Sequence, residues 1–387
     1  MKIGIMTFWW SEDNYGQLLQ CYALQKYLQD MGHDAYLIRY DPREDYVKSS
    51  IWEKAIKALD PVKLQKFLLF KKRKIVDMLE KHDSLRDFLG FRNRHIRQSE
   101  KIYYSYKELV EDPPDADMYI VGSDQVWNTF PVPTKRVINR MNAYLLNFGN
   151  SLIKKISYAA SFGKQKDELD SDFINLFSSL LKNFEYVSVR EKSGLEICRQ
   201  CGIDDAELVP DPTMLLSADA YRNLYIDNKI KYFKKYYKPY CLLYLLGNET
   251  DFPIRDIYDW FSDKNIEIVY VPGNFQYDNY KKNYVTIPEW IYLLEHAECI
   301  ITNSYHCAVF SIIFKKTFGV IPLVKNYENM NTRFDTLFQL LEIKKTFIDR
   351  NNIGEILQKD QMDWDKISGM LEQIRLSCKL NSIIQKN

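Results

Sequence analysis

Residues 302–311 read TNSYHCAVFS, and His306 stands where an apolar strand, ECII, gives way to an apolar helical run, AVFSIIF. A histidine in the first turn of a helix sits at the positive end of the helix dipole, which disfavours its charged form. A neutral imidazole there can accept a proton, as a general base does. Ser304 precedes it, and Lys325, Asn326 and Arg333 follow it in sequence.

Other polar groups also fall just past strand-like runs. After MYIVG come Ser123, Asp124, Gln125, Trp127 and Asn128, a carboxylate beside a tryptophan that suits a sugar-binding corner. After EYVSV comes Arg190, and an arginine there can grip a carboxylate or phosphate through two parallel hydrogen bonds. After the first strand come Asn14, Tyr15 and Gly16, at a helix start whose backbone N–H groups can face an anion. Each has a plainer alternative. His306 can be a packed side chain, Asp124 a turn cap, Arg190 a surface partner of Glu191 or Glu196, and Gly16 a loop hinge. No G-x-G-x-x-G or phosphate-binding-loop motif opens the chain, so a dinucleotide is not expected. No further histidine or acidic cluster shares the face of His306, and the single C-x-x-C pair, Cys198 and Cys201, has no second pair. No metal is expected.

These groups need a scaffold. KIGIMTF reads as a strand. QLLQCYALQKYLQDMG puts Leu18, Leu19, Tyr22, Ala23, Leu24 and Leu28 on one helical face, with Gly32 as a stop, and AYLIRY is the next strand. Strand, helix and strand at this spacing make a parallel crossover unit. DMYIVGSD, KKISYAAS, EYVSVR and AELVP continue the series. CLLYLLG, IEIVYVP, ECIIT and TFGVI, with helices between them, begin a second one. The fold expected is α/β, with two Rossmann-like domains facing across a cleft. The boundaries are 1–216 for the first domain, 217–239 for a linker, 240–352 for the second domain and 353–387 for C-terminal helices packing back on the first. In open α/β sheets ligands sit beyond the carboxyl ends of the strands, so two such domains enclose a site.

Residues 41–113 interrupt the rhythm and read as an inserted helical segment, with Leu64, Phe67, Leu68, Ile75, Met78 and Leu79 near one face. Residues 51–101 hold fourteen Lys or Arg against seven Asp or Glu, whereas the whole chain of 387 residues carries only +1. A basic amphipathic helix can lie on an anionic membrane or form a solvated face. Nucleic acid is not expected, given the near-zero net charge and the lack of a recognised binding motif. Seven cysteines, odd in number and scattered, make no disulfide framework and point to a reducing compartment. No apolar run approaches a membrane span, and MKIGIMTFWW followed by SED reads as a buried strand, not a targeting segment. The expected location is cytoplasmic, with peripheral contact to the inner leaflet of the cell membrane as an option.

Taken in order, NYGQLLQCYALQKYL, YIVGSDQVWN, SYAASFG, SVREKSG, VPDPTMLL and ITNSYHCAVFSIIFKK resemble the polysaccharide pyruvyl transferase family over most of the chain; 41–113 and the C-terminal tail are not covered. The resemblance implies a GT-B-like fold. It also implies transfer of pyruvate from phosphoenolpyruvate onto two hydroxyls of a sugar as a cyclic ketal, without cofactor or metal. In surface polysaccharide assembly the acceptor would be a lipid-linked sugar. The donor-gripping residues carried over are Arg190, His306 and Lys325, with Arg333 as the alternative to Lys325. Asp124 is the candidate for orienting or deprotonating the acceptor. Ser304, Asn14, Gly16, Ser123, Trp127 and Asn128 complete the expected site. Cys307 stands where the family commonly has glycine, and a side chain there would narrow the pocket. Two other functions compete: a GT-B glycosyltransferase using a nucleotide sugar, and a non-catalytic sugar-binding relative.

Overall fold

The computed structural model describes residues 1–42, 45, 82–129, 132–226, 238–247, 252–273, 278–358 and 362–385. Two parallel sheets organise the chain. The first has strand order β3-β2-β1-β4-β5, from β1 (Lys2–Met6), β2 (Asp34–Tyr40), β3 (Gln98–Tyr103), β4 (Met118–Val121) and β5 (Lys154–Ser157). A short parallel pair follows, β6 (Ser188–Val189) with β7 (Glu207–Leu208), and isolated bridges at Tyr186 and Val189 tie it to the segment running out of β5. The second sheet has order β11-β10-β8-β9, from β8 (Tyr240–Leu245), β9 (Glu267–Pro272), β10 (Cys299–Thr302) and β11 (Phe318–Val320). Strands β4, β8 and β10 are buried along their whole length. They read as continuous apolar runs because a parallel sheet is covered on both faces.

Each sheet has one point where the connections diverge. In the first it lies between β1 and β4, which pair in register Ile3 to Met118 through Met6 to Val121. In the second it lies between β8 and β10, paired from Cys241 and Cys299 to Tyr244 and Thr302. Neighbouring loops part at such points and leave a crevice beyond the strand ends.

Helix α1 (Tyr15–Asp30) joins the two halves. Its Leu24 and Leu28 pack with Ile3, Ile5 and Met118 of the first sheet. Its Tyr15, Leu18, Leu19 and Tyr22 belong to the apolar core that also holds Tyr244, Trp290 and Phe310 of the second half. Tyr15 stacks on Trp290 with centroids 5.3 Å apart, and its hydroxyl donates to the Val285 carbonyl at 2.7 Å. One hydrophobic cluster therefore runs through both halves and holds the two sheets together.

Two features differ from the sequence reading, and the C-terminal helices lie where it expected them. Within 41–113, helices α2 (His82–Arg86) and α3 (Phe88–His95) lead into a strand, β3, that pairs with β2 at the edge of the first sheet and is followed by helix α4 (Tyr106–Glu111). QSEKIY is too polar to show as a buried strand, and it needs little apolar character because an edge strand is covered less. The apolar face proposed for Leu64 to Leu79 lies outside the described residues. Residues 218–226, read as linker, form a helix, α5 (Ala218–Ile226), whose Tyr225 hydroxyl donates to Glu295 of helix α6 (Ile287–His296) at 2.5 Å. At the C-terminus, helices α9 (Trp364–Leu376) and α10 (Leu380–Gln385) lie on the first half. Arg375 donates to the carbonyls of Met214 and Leu216, and Leu380 and Ile384 are buried with Ile3, Ile5 and Ile156. No helix among the described residues is long and apolar enough to cross a membrane.

Candidate active site

The loops after β1, β4, β8 and β10 wall a cavity of about 350 Å³. Phe8, Asn14 and Gln17 come from the β1 side, Asp124 and Gln125 from β4, Leu246 and Gly247 from β8, and Asn303 to His306 from β10. Leu323, Met330 and Arg333 close it.

Two helices begin at this cavity. Asn14 caps α1, its side chain accepting from the Gln17 N–H. Ser304 caps helix α7 (Tyr305–Ile313), its hydroxyl accepting from the Cys307 N–H. Free N–H groups and partial positive charge at both first turns favour an anion between them. Arg333, in the first turn of helix α8 (Thr332–Leu340), adds a full charge. Among the described residues its guanidinium makes one hydrogen bond, from Nε to the Met330 carbonyl at 3.0 Å, and has no carboxylate partner. Burial, then the neighbouring Arg190, pushes its pKa down to about 10, while Glu191 and Asp124 act the other way. It is still a cation at neutral pH. The side chain of Lys325 lies outside the described residues.

His306 is buried against the first half of the chain. Gly16 makes this possible, because a Cβ there would lie 2.4 Å from both Cβ and Cγ of His306. The ring's Nε2 faces a buried polar cluster: Arg190 Nη1 and Asp211 Oδ2 are each 3.5 Å away. Asp211 is the centre of that cluster. Its Oδ2 accepts from Arg190 Nη1 at 2.8 Å and from the Ser123 hydroxyl at 2.8 Å. Its Oδ1 accepts from the N–H and hydroxyl of Thr213. Burial alone would push this carboxyl up; His306, Arg190 and Thr213 overcome that and hold it well below the usual carboxylate range.

Arg190 does not line the cavity. Its side chain has no exposed surface and is turned onto Asp211, Asp124 and Glu191 at 2.8, 3.3 and 3.8 Å. Burial opposes its charge, but Asp211, Asp124, Tyr305 and Glu191 raise its pKa above the ordinary value. The tyrosine ring of Tyr305 lies between this cluster and the cavity, with the carbons of the Arg190 and Arg333 guanidinium groups 4.9 and 5.8 Å from its centre. The cation on the cavity wall is Arg333.

Asp124 does line the cavity. Its backbone is left-handed at φ +69°, strained for a non-glycine residue. Its Oδ1 accepts from the Gln125 N–H at 2.9 Å and from Arg190 Nη2 at 3.3 Å. Ser123 sits one layer back, on Asp211. Trp127 does not line the cavity: it is fully buried among Phe162, Phe173 and Phe177, and its indole N–H donates to the Tyr144 carbonyl. Asn128 turns to Gln125 and does not line the cavity. Cys307 is buried in the core and does not line the cavity, so its side chain does not narrow it. Asp211, Tyr305, Gln17 and Phe8 were not singled out by sequence. Asp211 did carry the signal used for Asp124, a carboxylate just past a strand. Among the described residues no three His, Cys, Asp or Glu side chains are grouped to hold a metal ion.

The profile described as polysaccharide pyruvyl transferase matches residues 14–323. That span includes every cavity residue named above except Phe8, Met330 and Arg333. No curated protein matches the chain. Several solved structures are similar in outline. Anabaena HepE in complex with UDP and glucose aligns at 8% identity and TM-score 0.49, covering 100% of this chain and 98% of that one. S. aureus MnaA with UDP aligns at 12% and 0.48, covering 96% and 91%. The UDP-GlcNAc 2-epimerase of Methanocaldococcus jannaschii in complex with UDP-GlcNAc and UDP aligns at 12% and 0.46, covering 98% and 94%. Likenesses this distant bring neither a ligand nor a reaction to this chain.

Proposed function

The chain belongs to the polysaccharide pyruvyl transferase family, and from that footing we propose that it moves pyruvate from phosphoenolpyruvate onto two hydroxyls of a sugar, forming a cyclic ketal and releasing phosphate. One observation carries this reading: two helix N-termini, the wall cation Arg333 and His306 converge on one cavity. Phosphoenolpyruvate bears a phosphate and a carboxylate and needs positive groups at both ends.

In the reaction the methylene carbon gains a proton, the first hydroxyl adds to the adjacent carbon, phosphate leaves and the second hydroxyl closes the ring. Of the two hydroxyl protons, one ends on the methyl group and one on phosphate. Arg333 and the helix ends hold the donor. Asp124, also on the cavity wall, accepts a hydrogen bond from the first acceptor hydroxyl, takes its proton as it attacks and relays that proton to the methylene carbon. Phe8 lines the same wall with Trp10 packed beside it, ring centroids 5.2 Å apart, and offers an apolar face to a sugar ring. A positioned proton acceptor contributes roughly 10²–10⁴-fold.

The acceptor in this reading is a lipid-linked sugar, and the Lys/Arg excess of 51–101 holds the enzyme at an anionic membrane face. Absence of binding in flotation with anionic liposomes would remove that part. The reaction itself is tested by phosphate release from phosphoenolpyruvate with a panel of sugar acceptors, alongside thermal shifts with phosphoenolpyruvate and with UDP-sugars. Stabilisation by a UDP-sugar, with none by phosphoenolpyruvate, would replace this reading with glycosyl transfer.

A further inference from the structure

We infer that Glu191 is a positioning residue for Asp124: it anchors the segment 161–163 that braces the strained Asp124–Gln125 turn of the cavity wall. Its part in the reaction rests on the reading above, in which Asp124 takes the acceptor proton. Glu191 has no exposed surface. Its Oε1 accepts from the Phe162 N–H at 2.7 Å and from the Gly163 N–H at 3.3 Å. Its Oε2 stands 3.8 Å from Arg190 Nε, beyond hydrogen-bond distance. Glu191 is therefore placed by its bonds to backbone, and both have only one possible sense, from N–H to carboxylate.

The anchored segment reaches the cavity wall through its own backbone. The Ser161 N–H donates to the Asp124 carbonyl at 2.9 Å, and the Trp127 N–H donates to the Ser161 carbonyl at 3.2 Å. Gly163 closes against side chains of the same turn: a Cβ there would lie 2.7 Å from Asn128 Nδ2 and 3.0 Å from Gln125 Cδ. Asp124 and Gln125 line the cavity, and Asp124 holds a left-handed φ of +69°. A non-glycine residue keeps such a conformation only where its surroundings over-determine it.

Glu191 fixes the segment that supplies this support. Without its carboxylate, two backbone N–H groups lose their acceptor, one of them on fully buried Phe162. An unmet buried donor is costly enough to shift the segment until it finds a partner. The Asp124 turn then relaxes, and a displacement of about 1 Å at a reacting group can cost 10²-fold in rate. The donor end of the cavity, with Arg333 and the first turn of α7, is built by the other half of the chain and is spared.

Three variants separate reach from charge. Glu191→Gln keeps an oxygen for both N–H groups and loses the charge. Glu191→Asp keeps the charge one methylene short of them. Glu191→Ala loses both. The first readout, amide hydrogen exchange in the folded protein, needs no substrate. Glu191→Ala should exchange roughly tenfold faster or more at Ser161, Phe162, Gly163 and Trp127, while Glu191→Gln keeps wild-type protection. Faster exchange confined to Phe162 and Gly163, or none, overturns the inference. In phosphate release from phosphoenolpyruvate, Glu191→Ala should lose about 10²-fold in kcat with donor affinity within about threefold, and Glu191→Gln should recover most of that loss. Wild-type kcat in Glu191→Ala, or equal losses in Ala and Gln, also overturns it. If Glu191→Ala does not fold, kcat should be roughly tenfold lower in Glu191→Asp than in Glu191→Gln, and equality or the reverse order overturns it. Wild-type enzyme inert toward phosphoenolpyruvate with every acceptor would sink the pyruvyl-transfer reading and leave hydrogen exchange to decide the brace.

Discussion

Gly16 and His306 are in contact across the two halves of the molecule: the space a Gly16 side chain would occupy is filled by the imidazole, 2.4 Å from Cβ and Cγ and 2.5 Å from Nδ1. Gly16 is helical and has no positive φ, so the constraint is one of volume alone.

Gly16→Ala therefore tests whether this contact sets the site. In an open helix the change would stabilise by up to about 1 kcal/mol. Here it should destabilise by about 1–3 kcal/mol through overpacking and lower turnover by displacing the ring. Urea unfolding and phosphate release measure both, and a stabilised, fully active variant would contradict the geometry.

Arg333→Gln removes the cation of the cavity wall. A hydrogen bond to a charged group is worth about 1.5–3 kcal/mol, so phosphoenolpyruvate should bind roughly 10–100-fold more weakly, as calorimetry would read. Thermal stability should hold or rise slightly, since a buried charge with no carboxylate partner among the described residues is lost. Unchanged affinity would move the anion site elsewhere.

Trp127→Phe separates the packing role of this residue from a sugar-binding one. Both substrate KM values should stay near wild type, because the indole faces Phe162, Phe173 and Phe177. Stability should fall by about 1 kcal/mol or more for the hydrogen bond to Tyr144 and the lost volume. A raised acceptor KM with intact donor KM would restore the sugar contact.

Asp211 also shapes the response to acid. Its folded-state pKa is depressed, so its contribution is fully present above the unfolded carboxylate value of about 3.9. It is lost as pH falls below that value toward the much lower folded one. Asp211→Asn should be less stable by about 3–5 kcal/mol at neutral pH, the cost of leaving Arg190 buried without its main partner. That gap should narrow from roughly pH 5 downward. A gap constant with pH, in denaturant titrations, would show that the carboxylate is not held in its charged form.

Local pattern determined much of this protein. Apolar runs with period breaks at loops are enough to identify β1, β4, β8 and β10, because a strand buried on both faces must be apolar throughout. The position of a residue just past such a strand is enough to bring His306, Asp124 and Ser304 under suspicion, since that is where an α/β sheet opens. The motif order identified the family. Tertiary structure decided what spacing cannot carry. Trp127 and Asp124 are three residues apart, yet one turns into the core and the other into the cavity. Arg190 and Arg333 are both arginines near anionic and aromatic groups, yet only the second reaches the wall, because Asp211, 21 positions from Arg190, holds the first one inside. Asp211 gains its place only when the segment after β7 packs against α7 from the other half of the chain. Burial and partner choice are properties of that assembly: a carboxylate is a turn cap, a surface charge or the anchor of a buried arginine according to which distant donors converge on it.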